Sequence, residues 1–459
     1  MYITRRVKYY FILIFLILFS CTQVKKESGA VPSNYDISEF LGNGYRSMTG
    51  LPSKGKPYVP QITIDKEKLI YVAPDSLGNG LSEDLPTTFQ DAVNKADSAC
   101  TIIALDGVYH LKVMVDTLKY VTVISKNKWG ARIIPKGTRS DEAAFVFYSK
   151  NDIHHVNFIG LEVMGGEEGM RQFIFSPGTY QKGVVHHIYI ADVKMHELKM
   201  GIYSGLNSHD WTVDRCQFYN SRMSYLWYCM GYHQTVMNTL MYNNTYLSIA
   251  LRGHYPLNED YHWNGVNTLI NDRKKAFLDK EDWTHLIINN TFGTVMDTTR
   301  PNEGMLGLFY DIVPGEETKS EACYFPPQNV IIANNVFVDN GPQKKVPFYI
   351  YASRGINTGK VYSVNGLTLK NNITSQKKLI LGGNETDISL ITDMNNNIVN
   401  AKNIGFEDEK NHNYNLTPGS ADLIDRSARD LYRVSLDNRD TKRDKYPDIG
   451  AFEYIKSLK

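Results

Sequence analysis

The side chains best suited to chemistry gather in one stretch of the chain. Arg252, His254 and Tyr255 share one tetrapeptide, and Tyr261, His262 and Trp263 follow shortly after. A guanidinium can neutralise a bound carboxylate, which makes the proton on the neighbouring carbon acidic. An imidazole or a phenol can then remove that proton. These two steps are what β-elimination from a uronic acid residue requires. Arg252 is therefore the candidate neutraliser, and His254 or Tyr228 the candidate base. Tyr203, His233, Tyr255, Tyr261, His262 and Trp263 are candidate substrate contacts. The aromatics qualify because an apolar ring face with a polar handle suits a sugar. Arg171, Lys182 and His186 are further basic candidates. Each has a plainer alternative: Arg252 can pair with Glu259 or Asp260, and a loop aromatic can pack its own loop.

Hydrolysis by paired carboxylates is the rival chemistry. Asp210 and Asp214 are close in sequence, but strand alternation puts Asp214 and Arg215 on opposite faces, so one of these two points into the interior. Asp260, Asp272, Asp282 and the pair Glu167-Glu168 are other carboxylates in connecting segments. Calcium is the one ion that would substitute for an Arg as neutraliser. No Asp-rich run supplies the converging oxygens it needs, so no metal ligands are assigned. Cys100, Cys216, Cys229 and Cys323 lack the CxxC or CxxH spacing of a zinc site; Cys216 and Cys229 could pair in an oxidising compartment, but buried free thiols are the expected state.

These residues must be positioned by the elements around them, and those elements repeat. Segments such as Asp210–Phe218, His285–Phe292 and Asn329–Phe337 share one pattern: alternating apolar residues, a polar turn position, then another apolar residue. Aligned on the turn, the positions are Gly160, Asp192, Arg215, Asn238, Asn289, Asn334, Asn371 and Asn396, at intervals of 32, 23, 23, 51, 45, 37 and 25. One coil of about 23 residues with insertions accounts for them. Asn recurs because it tolerates a left-handed backbone, and stacked on itself it would form an amide ladder inside the coil. A second strand follows in many coils, among them 201–204, 224–228, 248–252, 305–309, 348–351 and 378–381. Tyr203 and Tyr228 then end the strands that correspond, two coils and one coil earlier, to the strand ending at Arg252. Few Asn-Gly hairpin signals are present, which argues against an antiparallel sandwich. The fold expected is all-β: a single right-handed parallel β-helix. Long insertions at 253–283, 311–328 and 353–365 follow the second strand and would wall a groove; 164–186 is another insertion.

The chain's start reads as an export signal. Arg5, Arg6 and Lys8 precede an apolar run from Phe11 to Phe19, too short to span a membrane comfortably. Leu18-Phe19-Ser20-Cys21 resembles the lipobox of bacterial lipoproteins, which implies acylation of Cys21 and a lipid anchor in the outer membrane, facing the periplasm or the surface. The expected organisation is a signal peptide over 1–20, a polar tether over 21–60, and the solenoid over 61–459.

The ends of the solenoid resemble the pectate-lyase-like β-helix proteins of bacterial polysaccharide-degrading systems. The resemblance rests on Tyr71-Val-Ala-Pro-Asp75, on Thr88-Phe-Gln-Asp-Ala-Val93 opening a capping helix to about Ala96, and on Thr101–Tyr109. At the other end it rests on Asn415–Ser420 and Asp448–Tyr454. It implies a polysaccharide or oligosaccharide partner. Arg252 and His254 also resemble the Arg and His that lie close together in β-helix lyases of alginate and dermatan. The functions left open are a polysaccharide lyase, a glycoside hydrolase or uronate epimerase, and a non-catalytic glycan binder. Thirty Tyr residues suit all three, and a net charge of +1 gives no reason to expect nucleic acid.

Overall fold

The computed structural model describes residues 56–455 except 138–142, 149–150, 166–170, 177–183, 206–207, 222–225, 230, 246, 253–283, 296–303, 311–328, 342–344, 346, 353–365, 383–392, 403 and 428–435. The expected signal peptide, Cys21 and most of the tether lie outside these residues. Among the described residues no helix is long and apolar enough to cross a membrane.

A full coil contains three strands in fixed order, for example Val185–Ala191, Lys194–His196 and Met200–Ser204. The first strands stack as sheet A, eleven in all, from Leu69–Val72 to Asp393–Asn395. The second stack as sheet B, from Gly107–Leu111 to Ile373–Thr374, and the third as sheet C, from Val113–Val115 to Ile380–Gly382. Among the described residues every strand pair is parallel except Phe406–Asp408 with Asn413–Leu416. The chain is a right-handed parallel β-helix, with the helix Phe89–Lys95 at its N-terminal end. That helix starts where Thr88 accepts a hydrogen bond from the Asp91 amide at 3.1 Å. It buries Phe89, Ala92 and Val93, and Phe89 meets Tyr109 and Phe145 edge-on, closing the open end of the core.

The interior is filled by the inward residues of successive coils, including Phe145, Phe158, Phe173, Trp211, Trp227, Phe292 and Phe337. A single coil has no second layer against which to bury such side chains, so the stacking of coils supplies the core. The two indoles that enter it are bonded: Trp227 Nε1 donates to Ser204 Oγ at 2.7 Å and Trp211 Nε1 to the Val185 carbonyl at 3.0 Å. Cys100, Cys216 and Cys229 are buried free thiols.

All eight aligned turn positions have left-handed backbone, from Gly160 (φ 68°) to Asn396 (φ 55°). The amide ladder, however, is built one residue later than the turn position itself. Asn290, Asn335, Asn372 and Asn397 stack inside the coil, the first three each donating the side-chain amide to the next Oδ1 at 2.9–3.0 Å. The reason is local: the left-handed residue interrupts strand alternation, so its successor is the one that points inward. Asn334 and Asn371 pair separately outside, at 2.7 Å.

The same interruption decides Asp214 and Arg215. Both are buried, but neither belongs to the apolar core. Arg215 is left-handed (φ 51°), pairs with Asp214 and reaches Asp192 at 3.0 Å. A C-terminal strap covers this turn. Asn438 donates to the carbonyls of Asn238 and Cys216, Arg443 donates to Asn238 Oδ1, and the Gly450 amide donates to the Asn334 carbonyl. At the other end of the chain, Val59 packs on sheet A against Met237, Leu286, Ile288 and Ala333.

Candidate functional site

Two sets of candidate residues lie on either side of the corner where sheet C leads into sheet A. The strands Ile249–Arg252, Leu306–Tyr310 and Phe348–Ala352 of sheet C each lead into one of the expected insertions. The segment 164–186 contains a strand of the same sheet, Gln172–Ser176. Along sheet C the core residues Ile174, Ile202, Trp227, Ile249 and Leu308 alternate with a second set of positions. In that set, Phe175, Tyr203, Tyr228 and Ala250 are successive register partners. Tyr203 is half-buried and its ring lies 5.1 Å from that of Phe175.

Arg252 is paired with Phe309 and lies two residues beyond Ala250, the register partner of Tyr228. Tyr228 is thus offset from Arg252 along the strand, and is not its equivalent one coil earlier. With strands about 4.8 Å apart and a rise of about 3.3 Å per residue, their Cα atoms are roughly 8 Å apart. The nine strands of sheet C contain no Asp or Glu, and Arg252 is the one formally charged residue among them. His254, Tyr255, Tyr261, His262, Trp263, Lys182 and the carboxylates of the long loop lie outside the described residues. Arg171 donates to the carbonyl of Gly137 at 2.8 Å, across neighbouring coils.

His233 and His186 lie around the corner, at the start of sheet A. There the doublets His154-His155, His186-His187, His209-Asp210 and Tyr232-His233 stack coil on coil. The second member of each is left-handed (φ 49–56°), so the two consecutive side chains fall on one side. The first members form a column, with ring centroids 4.9 Å apart from His154 to His186, 4.8 Å to His209, and 4.8 Å to Tyr232. Within doublets, Nδ1 of His154 lies 2.9 Å from Nδ1 of His155, and Nδ1 of His186 lies 2.6 Å from Nδ1 of His187. Asp210 accepts from His209 at 2.6 Å and also bonds His233. Tyr58 packs edge-on against His155 and His187.

Burial sets the electrostatics. Desolvation, reinforced by His209 and His187, pushes His186 down to about 3; desolvation with His187 and His154 pushes His155 down to about 4. Both imidazoles are therefore neutral at ordinary pH. Burial alone would raise Asp210, but the bonds from His209 and His233 outweigh it and hold the carboxyl well below its usual range. Sequence reasoning picked out His186 and His233 singly and missed the array. A signal was there: the doublets recur at the 32, 23 and 23 intervals of the turn positions.

No family model and no curated protein matches the sequence. Among solved structures, the chain is similar to the alginate lyase from Paenibacillus sp. str. FPU-7, at 10% identity over 68% of this chain and 96% of that one, with a TM-score of 0.42. It is similar to pectate lyase Pel9A at 13% identity, over 85% and 98% of the two chains, with a TM-score of 0.45. It is also similar to the GH136 lacto-N-biosidase from Eubacterium ramulus at 12% identity, over 73% and 68%, with a TM-score of 0.39. At such identities and TM-scores these likenesses carry no chemistry across to this chain. What the chain's own sheets establish is the fold, a right-handed parallel β-helix.

Proposed function

We propose that this chain is a carbohydrate-active protein acting at sheet C, and specifically a polysaccharide lyase that cleaves a uronate-containing glycan by β-elimination. The observation that carries the reading is the composition of the sheet C strands. An aromatic series, Phe175, Tyr203 and Tyr228, runs in register beside a single cation, Arg252, with no carboxylate in any of the nine strands. A sugar ring resting on the tyrosines would place its carboxylate within reach of that cation. The guanidinium would withdraw charge from the carboxylate, and Tyr228 or His254 would take the proton from the neighbouring carbon. Hydrolysis would need two carboxylates facing the bond, and a calcium-dependent route would need several; the strands offer neither. We further propose that the protein is exported and held on the outer membrane by a lipid on Cys21, on the strength of the N-terminal pattern.

The test incubates the purified protein with uronate-containing and neutral polysaccharides. Ultraviolet absorbance follows unsaturated product, and a reducing-end assay follows total cleavage. Elimination predicts both signals from a uronate glycan and none from neutral ones. Reducing ends without absorbance would replace the lyase with a hydrolase. Retention on a glycan without any product would leave a binding protein. Arg252→Ala should abolish turnover while leaving the fold intact, and a fully active variant would refute the assignment.

A further inference from the structure

The imidazole array carries a second proposal, independent of the lyase reading. We propose that His186, His187 and His209 form a binding site for a divalent transition metal of the zinc type, clamping two successive coils together. One ligand atom from each of the three residues lies within 4.8 Å of the other two. All three side chains are half-buried, so an ion can reach them from solvent.

The backbone builds this site in a way an ordinary strand cannot. Consecutive strand residues point to opposite faces. The left-handed conformation of His187 (φ 55°) brings it to the same side as His186, where the two Nδ1 atoms converge to 2.6 Å. His209 is the register partner of His186 one coil on, and its ring stacks on His186 at 4.8 Å. Four-coordinate zinc binds nitrogen at about 2.0–2.1 Å, which sets ligand atoms roughly 3.4 Å apart. The close pair must open by under about 1 Å, and a pair as far apart as the outer limit must close by about 1.4 Å. The site forms if rotation of the rings about their side-chain torsions supplies both movements, the His186 and His209 rings turning out of their present 8° stack. Asp210 already bonds His209, so a carboxylate stands behind one ligand to orient it. Three imidazoles select zinc, nickel, cobalt or copper over calcium and magnesium, which require oxygen.

Zinc chloride titrated calorimetrically into the metal-free full chain, near neutral pH, tests the site. The expected result is one equivalent bound in the micromolar range or tighter, a rise in Tm with zinc, and no response to calcium. His187→Asn keeps a residue tolerant of the left-handed backbone, and His209→Gln keeps a polar group. Each should weaken zinc binding at least tenfold, while His110→Ala on sheet B leaves it unchanged. X-ray absorption at the zinc edge of the wild-type complex should report three imidazole nitrogens. Absence of binding to the wild type, wild-type affinity in the folded variants, or an all-oxygen or sulfur coordination sphere would each overturn the proposal. If the variants do not fold, the absorption spectrum of the wild type decides.

Discussion

The amide ladder ties together the coils from the turn at Thr239 onward, and replacing Asn335 by Ala tests how firmly. The Asn335 side chain is fully buried. Its Nδ2 donates to the Ile287 carbonyl at 2.8 Å and to Asn372 Oδ1 at 2.9 Å. Its Oδ1 accepts from the amide and the side chain of Asn290 at 2.9 and 3.0 Å. Truncation removes four hydrogen bonds and leaves four partners without water to replace them. At about 1 kcal/mol for each bond, the loss is roughly 4 kcal/mol. Asn397 makes similar bonds at the last rung but is only half-buried, so water takes its place and Asn397→Ala should cost about half as much. Urea unfolding followed by circular dichroism, and in parallel by tryptophan fluorescence, measures both variants. Two probes are needed because a solenoid can open in parts. An Asn335→Ala variant no less stable than Asn397→Ala would refute the view that the buried amides hold the register.

Three further outcomes are expected. Arg443→Ala should cost about 3–5 kcal/mol, because it leaves Glu453 buried without its 3.1 Å partner and frees the strap from Asn238; limited proteolysis should then clip the C-terminal segment, and an intact strap would contradict this. His285 is buried and desolvation pushes its pKa down to about 3, so the unfolded chain takes up a proton below pH 6.5 that the folded chain refuses. The His285 contribution to stability should therefore fall as pH drops from about 6.5 toward 3, by up to about 1.4 kcal/mol per pH unit, and His285→Gln should lessen the slope of pH-dependent urea melts by that share, leaving the part due to His155 and His186. Tyr203→Ala should raise KM for the glycan by roughly five- to tenfold with a smaller change in kcat, as expected for lost stacking worth about 1 kcal/mol; an unchanged KM would remove Tyr203 from the binding face.

The sequence by itself determined the coil. Local rules suffice for that: strand alternation, a turn residue that accepts a left-handed backbone, and an interval near 23 together locate all eight turns and six of the nine strands of sheet C. It also located the capping helix, whose boundaries agree within a residue; the expected insertions at 253–283, 311–328 and 353–365 lie outside the described residues. Only the tertiary structure decided what the turns bring together. One left-handed residue shifts every later side chain to the other face, so the ladder belongs to Asn290, Asn335, Asn372 and Asn397, and Asp214 and Arg215 pair outside the apolar core under a C-terminal strap. The same backbone feature at His155, His187, Asp210 and His233 assembles the imidazole array, although left-handed histidines have no strong sequence signature. The offset between Tyr228 and Arg252 belongs to this class as well. Register between coils is fixed by the packing of whole strands, and no single coil's sequence contains it.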